Sequence, residues 1–242
     1  AEVATVPAPH PAAPPPARGT VLVTGGASGL GAAVAGAVQE AGGDAVVLDL
    51  RPPAAGLDHE PVDLADPRAA EAAVARAAER HGGLSAVVTA AGIDACGDLG
   101  QVRAEDWDRV VMVNLLGTAA VVRAALPHLE RAHGRVVTVA STLGLRALPA
   151  ATAYCASKFG VVGFTRALAA ETQGRIGVTL LVPGGMRTAF FDDREERFRP
   201  PPDARLNRPQ DVARTVLFAL AQPAGCEVRE LVVCPEAEPS WP

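Results

Sequence analysis

The chain has 242 residues, with 22 basic and 27 acidic side chains and a net charge of −5. That length suits one α/β domain, which buries roughly three quarters of its unfolded surface and needs no disulfide or metal staple. The charge balance leaves no basic footprint for nucleic acid, and Cys96, Cys155, Cys226 and Cys234 form no CxxC pair and no zinc-ligand spacing with histidine, so they read as reduced thiols of a cytoplasmic protein without a metal site.

Residues 1–18, AEVATVPAPHPAAPPPAR, hold six prolines and no apolar period. This is the composition of an extended or disordered arm, and it lacks the basic start and apolar block of a secretory signal. Residues 19–39 carry no charged side chain, but six glycines interrupt them, which argues against a membrane span. The pattern instead changes period, from a β-branched strand at 20–24 to an Ala/Val helix at 29–41. Further strands are expected at 45–49, 85–90, 135–140, 177–182 and 230–234, with a short one within 57–63. Helices are expected at 66–81, 104–131, 152–173 and 209–221. Nearly continuous apolar strands alternating with helices predict a single α/β, doubly wound, Rossmann-like domain: a parallel sheet of about seven strands with helices on both faces. The domain is expected to run from 19 to 237, with a lid at 188–207 and a short tail at 238–242. Residues 184–208 show no clear element and follow a strand end, where such sheets bind ligands.

In TGGASGLG, residues 24–31, Gly25, Gly29 and Gly31 permit a tight turn, close approach to an anion and close packing of helix on strand. The amides at the helix start, around Ser28, Gly29 and Leu30, would face a pyrophosphate. Asp49 closes the next strand, eighteen residues after Gly31, where a carboxylate meets the adenosine ribose hydroxyls, with Leu50 beside it. The same carboxylate repels a 2′-phosphate by on the order of several kcal/mol at about 4 Å before screening, which favours NAD over NADP. Arg51 is two residues on, but Pro52–Pro53 end the strand and argue against its pointing the same way.

Residues 141–158 read STLGLRALPAATAYCASK. Ser141 follows a buried strand, and Tyr154 and Lys158 share one helix face at a spacing of four. A free tyrosine, with a pKa near 10, is a poor base at neutral pH, and an adjacent ammonium favours its phenolate. A core tyrosine beside a surface lysine would have the same spacing; Ser141 and the glycine turn upstream favour the chemical reading.

With these residues in view, the chain resembles the short-chain dehydrogenase/reductase family from about Thr20 to Pro235. Five motifs stand in the family's order: TGGASGLG, AAG at 90–92, the asparagine of VNLLG, the Ser–Tyr–Lys set and PGGMRT at 183–188. The resemblance implies that Tyr154 is the general acid/base, that Lys158 lowers its pKa and binds the nicotinamide ribose, and that Ser141 hydrogen-bonds the reacting oxygen. It implies that Asn114 interrupts a helix and holds a relay water, and that Asp63 and Leu64 flank the adenine. It also implies that Ala91 and Gly92 let the cofactor pass closely, and that Pro183, Gly184, Met186 and Thr188 hold the nicotinamide. By the same resemblance, the helices at 104–131 and 152–173 would form a homotetramer or homodimer interface.

Two departures stand out. The family's NNAG segment reads TAAG here, losing polar contacts that brace the sheet. The ending RELVVCPEAEPSWP resembles a subgroup acting on small hydroxy acids that often prefers NADP, against which Asp49 carries the direct physical mechanism. Phe190, Phe191 and Phe198 of the lid suit an apolar substrate, whereas Arg194, Arg197 and Arg199 read first as solvated charge and second as partners of a carboxylate or carrier phosphate. The expectation is hydride transfer between NAD and a secondary alcohol/ketone with some apolar bulk, without nucleic-acid or membrane partners. The alternatives are an NADPH-dependent ketoreductase and a non-catalytic dinucleotide-binding regulator.

Overall fold

The computed structural model describes residues 19–241; the arm expected at 1–18 lies outside them. The elements run β1 (Thr20–Thr24), α1 (Gly29–Glu40), β2 (Asp44–Asp49), β3 (Asp58–Pro61), α2 (Pro67–Arg80), β4 (Ala86–Thr89), α3 (Ala104–Val111), α4 (Thr118–Ala132), β5 (Arg135–Val139), α5 (Thr152–Glu171), β6 (Gly177–Pro183), α6 (Pro209–Leu220) and β7 (Glu230–Val233). The strands form one sheet in the order β3-β2-β1-β4-β5-β6-β7, and every pairing is parallel. The order reverses between β1 and β4, the switch point at which doubly wound sheets take ligands.

The central strands are apolar on both sides because both faces are covered. On one face, Val21, Val23, Val47, Val88 and Val137 pack with Val34 of α1 and Val212 and Val216 of α6. On the other, Leu22, Val46, Val87 and Val136 pack with Ala73 and Val74 of α2 and Val121 and Leu129 of α4. Adjacent residues of β1 thus feed opposite cores, as a strand's period of two requires. Thr89, the first residue of TAAG, has its hydroxyl buried without a partner among the described residues.

The helix expected at 104–131 is divided. Between α3 and α4, Met112–Gly117 form a π-helical turn, the kind of insertion that re-aims a side chain inside a helix. It turns the fully buried Asn114 inward. Gly117 meanwhile lies so close to Leu64 that a Cβ would stand 2.6 Å from the Leu64 carbonyl oxygen. The whole stretch Ala104–Ala132 is long and apolar enough to cross a bilayer, but half of its apolar window is buried inside the fold, as a core helix requires. Residues 184–208 hold only two short 3-10 turns, Ala189–Phe191 and Glu196–Phe198, and a bridge from Met186 to Asn207.

The sheet edge at β3 is held by charge. Glu60, 8% exposed at its side chain, meets Arg76 at 2.8 Å and Arg80 at 2.5 Å, and Arg80 also meets Asp58 at 2.8 Å. Burial alone would raise the Glu60 pKa, but hydrogen bonds from Arg80 and Arg76 outweigh it and hold the group below the usual carboxylate range. A depressed folded pKa contributes stability that is present above the unfolded value and lost as pH falls through the folded one. Glu60→Gln is therefore expected to cost about 2 kcal/mol at pH 7. Denaturant titrations across pH should show that difference shrinking as pH drops below about 4.3.

Candidate active site

Most expected site residues lie at or just beyond the carboxyl end of a strand, whereas Asn114 lies in the π turn and Tyr154 and Lys158 on α5. Gly25 follows β1, Asp49 ends β2, Asp63 follows β3, Ala91 and Gly92 follow β4, Ser141 follows β5, and Pro183 ends β6. Parallel strands open these ends on one side, so residues far apart in sequence meet there. Gly25 has φ +71°, and a Cβ on it would stand 2.7 Å from the Ala91 Cα; Gly31 is packed as tightly on the Gly25 carbonyl. Thr188 lies over Gly29, 3.5 Å from where a Cβ would be, and Gly92 lies beside both Lys158 and Asn114. The Ala91 amide donates to the Thr24 hydroxyl at 3.1 Å, which locks the two glycine-bearing loops together.

Ser28 stands exposed before α1 without making a side-chain cap bond, and the first turn, which includes Leu30, carries no acidic residue. The amides there remain available to an anion. Asp49 accepts from the Ala27 amide at 3.0 Å and from the Arg51 amide at 3.0 Å, so its carboxylate also shapes the turn. Leu50 is 61% exposed. β2 ends at Asp49 as expected, yet Arg51 still reaches the turn: its guanidinium donates to the Ser28 hydroxyl at 3.2 Å. The strand's end does not carry Arg51 away, because the long side chain folds back across the bend. Asp63 accepts from the Ala65 amide at 2.9 Å and pairs with Arg109 at 3.0 Å, contacts that overcome burial and hold its pKa below the usual range. Leu64 beside it is buried.

The Asn114 side chain makes three hydrogen bonds that fix its place. Its amide nitrogen donates to the Ile93 carbonyl at 2.9 Å and the Ser157 hydroxyl at 3.0 Å, while its oxygen accepts from the Ile93 amide at 2.9 Å. The π turn thereby ties the loop after β4 to α5. Lys158 is 3% exposed, and its ammonium donates to the Val139 carbonyl at 2.9 Å. Burial pushes its pKa down to about 8. Tyr154, half-buried, has its ring 5.6 Å from the Lys158 ammonium. The expected lowering of the Tyr154 pKa by Lys158 is not what this arrangement produces. Burial dominates and pushes the phenol up to about 12, with the Asp94 carboxylate adding to the rise and the Ser141 hydroxyl and Arg194 opposing it. Ser141 accepts from the Leu143 amide at 3.1 Å, which fixes its hydroxyl at the start of a short turn.

The lid closes over Tyr154. Phe190 packs on the Tyr154 ring at 5.7 Å and Phe191 meets Phe190 edge-on at 5.5 Å. Arg194 is not solvated charge: it lies 4.9 Å from the Phe190 ring and 4.6 Å from Phe191, and pairs with Asp94 at 2.6 Å, at 17% and 7% side-chain exposure. Asp94 escaped the sequence reading because its partner is a hundred residues away and neither residue falls in a motif. Arg197 and Arg199 do stay at the surface, on Glu195 and on lid carbonyls.

These residues fit a dinucleotide on two observations. The start of α1 is left uncapped for an anion, and the buried Lys158 ammonium has three donors and one acceptor among the described residues. The four cysteines are free, and burial pushes the Cys96 thiol up to about 12.

A family model described as short chain dehydrogenase matches residues 19–198. The chain is 30% identical over 216 residues to 3-oxoacyl-[acyl-carrier-protein] reductase FabG of Thermotoga maritima, covering 81% of this chain and 88% of that one. It is 32% identical over 232 residues to 2-(S)-hydroxypropyl-CoM dehydrogenase 3 of Xanthobacter autotrophicus, covering 84% and 90%. Among solved structures, a short chain dehydrogenase from Burkholderia cenocepacia in complex with NADP superposes with a TM-score of 0.76 at 29% identity, covering 88% of this chain and 95% of that one.

Removing the charge of Asp94 would leave the Arg194 guanidinium enclosed and unpaired. Asp94→Asn is expected to speed limited tryptic cleavage within 194–199 by on the order of tenfold; mass spectrometry of the fragments would read it.

Proposed function

The chain belongs to the short-chain dehydrogenase family, and on that premise we propose that it is an NAD-dependent oxidoreductase acting on a secondary alcohol/ketone pair, with Tyr154 as the general acid/base. The observation that supports the reading is that the Ser141–Tyr154–Lys158 set and the uncapped glycine turn lie at the same carboxyl end of the sheet, linked through Gly92 beside Lys158 and Ala91 beside Gly25. A bound dinucleotide supplies the hydride acceptor in oxidation and the donor in reduction. Gly25, Ser28, Gly29, Leu30 and Gly31 would hold its pyrophosphate, and Asp49 with Leu50 its adenosine ribose. Asp63 and Leu64 would flank the adenine, while Ala91 and Gly92 would leave room for the backbone. Pro183, Gly184, Met186 and Thr188 would hold the nicotinamide end.

In oxidation the Tyr154 phenolate takes the proton of the substrate hydroxyl, and in reduction the phenol returns it. Such a transfer contributes about 10²–10⁴-fold. Ser141 donates to the reacting oxygen and fixes its position. Lys158 has two donors left after Val139, enough for ribose hydroxyls, and its positive charge favours the phenolate. Asn114 holds the loop that carries Gly92 and contributes to the proton relay behind Lys158.

For the phenol to act near neutral pH, the rise caused by burial must be relieved. The lid rings that enclose Tyr154 must part to admit substrate, and a positively charged nicotinamide would add to the ammonium's effect. Phe190 and Phe191 suit apolar bulk on the substrate. Asp94 neutralises Arg194, which favours an uncharged group there over a carboxylate. The exposed Leu116 and Phe159, at 42% and 45%, suit the homodimer or homotetramer contact proposed for the helices that carry them.

A second reading has its own observation. Arg51 reaches the Ser28 hydroxyl at 3.2 Å and stands where a 2′-phosphate would come, so an NADPH-dependent ketoreductase is the alternative, in line with the NADP held by the Burkholderia cenocepacia relative. Asp49 at the strand end keeps NAD as the first choice. Fluorescence titration should give the lower Kd for NADH. A lower Kd for NADPH, weakened about tenfold by Arg51→Ala, would move the assignment to the alternative. Tyr154→Phe is expected to keep its affinity for the dinucleotide within about twofold and to lose about 10³-fold in kcat.

A further inference from the structure

The C-terminal residues fold back onto the carboxyl edge of the sheet. The Glu238 carboxylate accepts from the Gly185 amide at 2.7 Å with one oxygen, and from the Ser240 amide at 3.1 Å and hydroxyl at 2.6 Å with the other. Ser240 is 9% exposed, and its hydroxyl lies 2.6 Å from that of Thr142. A hydroxyl has one proton, and the Ser240 proton goes to the carboxylate, which can only accept; Thr142 must therefore donate to Ser240. Arg146 adds a bond to the Pro239 carbonyl at 3.2 Å. An unbroken hydrogen-bonded path thus leads from Thr142, next to Ser141, through Ser240 and Glu238 to the turn after β6.

Among the described residues the Gly185 amide has no partner but Glu238. The Gly184 amide donates to the Val233 carbonyl at 3.0 Å, the Gly185 carbonyl accepts from the Asn207 amide at 3.0 Å, and the Arg187 amide donates to the Asn207 carbonyl at 2.8 Å. The Gly185 amide is the group left over, and Glu238 takes it. The approach is close: a Cβ on Gly184 would stand 3.0 Å from the Pro235 ring and would overlap the Glu238 carboxylate. Glu238 makes no ion pair among the described residues, so its charge serves these three donors alone. Charge-assisted bonds of this kind are about twice as strong as neutral ones.

We infer that Glu238 is a positioning residue, through which residues 235–241 hold the Gly184–Gly185 turn and the Ser141–Thr142 segment in register with each other. The inference rests on the reading above that Gly184 borders the nicotinamide end of a bound dinucleotide and Ser141 the reacting oxygen. On that reading Glu238 touches neither substrate nor cofactor. It sets the separation of the two walls between which hydride and proton move, and misplacement by about 1 Å in such a site costs on the order of 10²-fold in rate.

The test compares Glu238→Ala and Glu238→Gln with wild type in binding and turnover. Affinity for ADP-ribose, which lacks the nicotinamide, serves as the internal control. In Glu238→Ala, NAD is expected to bind about tenfold more weakly while ADP-ribose binds as in wild type, and kcat is expected to fall about 10- to 100-fold. Glutamine keeps one carbonyl oxygen and turns an amide toward the remaining donor, so Glu238→Gln should recover only part of the loss. A separate arm needs no turnover. The chain has two tryptophans, so in a Trp107→Phe background Trp241 is the only indole. Trp241 is 37% exposed beside Glu238, and its acrylamide quenching should rise at least twofold in Glu238→Ala. Equal loss of NAD and ADP-ribose affinity, or unchanged quenching with unchanged kcat, overturns the inference. If wild type binds neither nucleotide, the functional reading fails, and the quenching arm alone decides whether Glu238 anchors the tail.

Discussion

A lysine ammonium held inside the protein by one backbone carbonyl sets the terms for the rest of the site. Lys158 is 3% exposed and bonds the Val139 carbonyl at 2.9 Å, at the end of the strand that leads into Ser141. Removing an ammonium from water costs several kcal/mol even after relaxation, and one neutral acceptor does not offset that. The fold tolerates the cost because Lys158 lies on α5, whose other buried positions pack against the sheet, so the helix cannot swing the charge out to solvent. What remains is a cation with unused donors at the open end of a parallel sheet, next to the single tyrosine of the chain.

Burial has a second consequence. It raises the Tyr154 phenol to about 12 and lowers the Lys158 ammonium to about 8. Closed over itself, the site is poorly set for base chemistry near neutral pH. The Asp94–Arg194 pair keeps it closed, since the guanidinium fills the space between the phenylalanine rings and the loop that Asn114 braces. On the proposed function, activation would come with the ligands that open the lid and bring in positive charge.

Much of this was legible in the sequence. The apolar runs located six of the seven strands to within a residue or two at most ends, because strands buried on both faces need continuous Val, Leu and Ala; the polar edge strand β3 was read only as a short strand within 57–63. The glycine turn and the Tyr–Lys spacing were legible because each is a local pattern with a local cause. The π turn at Met112–Gly117 left no mark in the apolar pattern, which reads as one helix over 104–131; only the family resemblance put an interruption at Asn114, whose side chain reaches a loop twenty-one residues earlier. Arg51 was misjudged because strand alternation governs Cα–Cβ directions and not where a long side chain ends. Asp94 with Arg194, and Glu238 with Gly185, are separated by 100 and 53 residues. Nothing in either segment announces its partner, and only the closed sheet edge brings them together.

The central claim is that Tyr154 is an acid/base whose phenol is suppressed by burial in the closed protein and released when a dinucleotide binds. Because the chain has one tyrosine, phenolate absorbance near 295 nm after a rapid pH jump to about 10.5 reports this group alone before the protein unfolds, against a free phenol that is more than half ionised there. The account predicts little phenolate in the free protein, about a few per cent for a pKa near 12, and a clear increase in the complex with oxidised dinucleotide. A phenol that ionises like free tyrosine in both states, or one that the dinucleotide leaves unchanged, would contradict it.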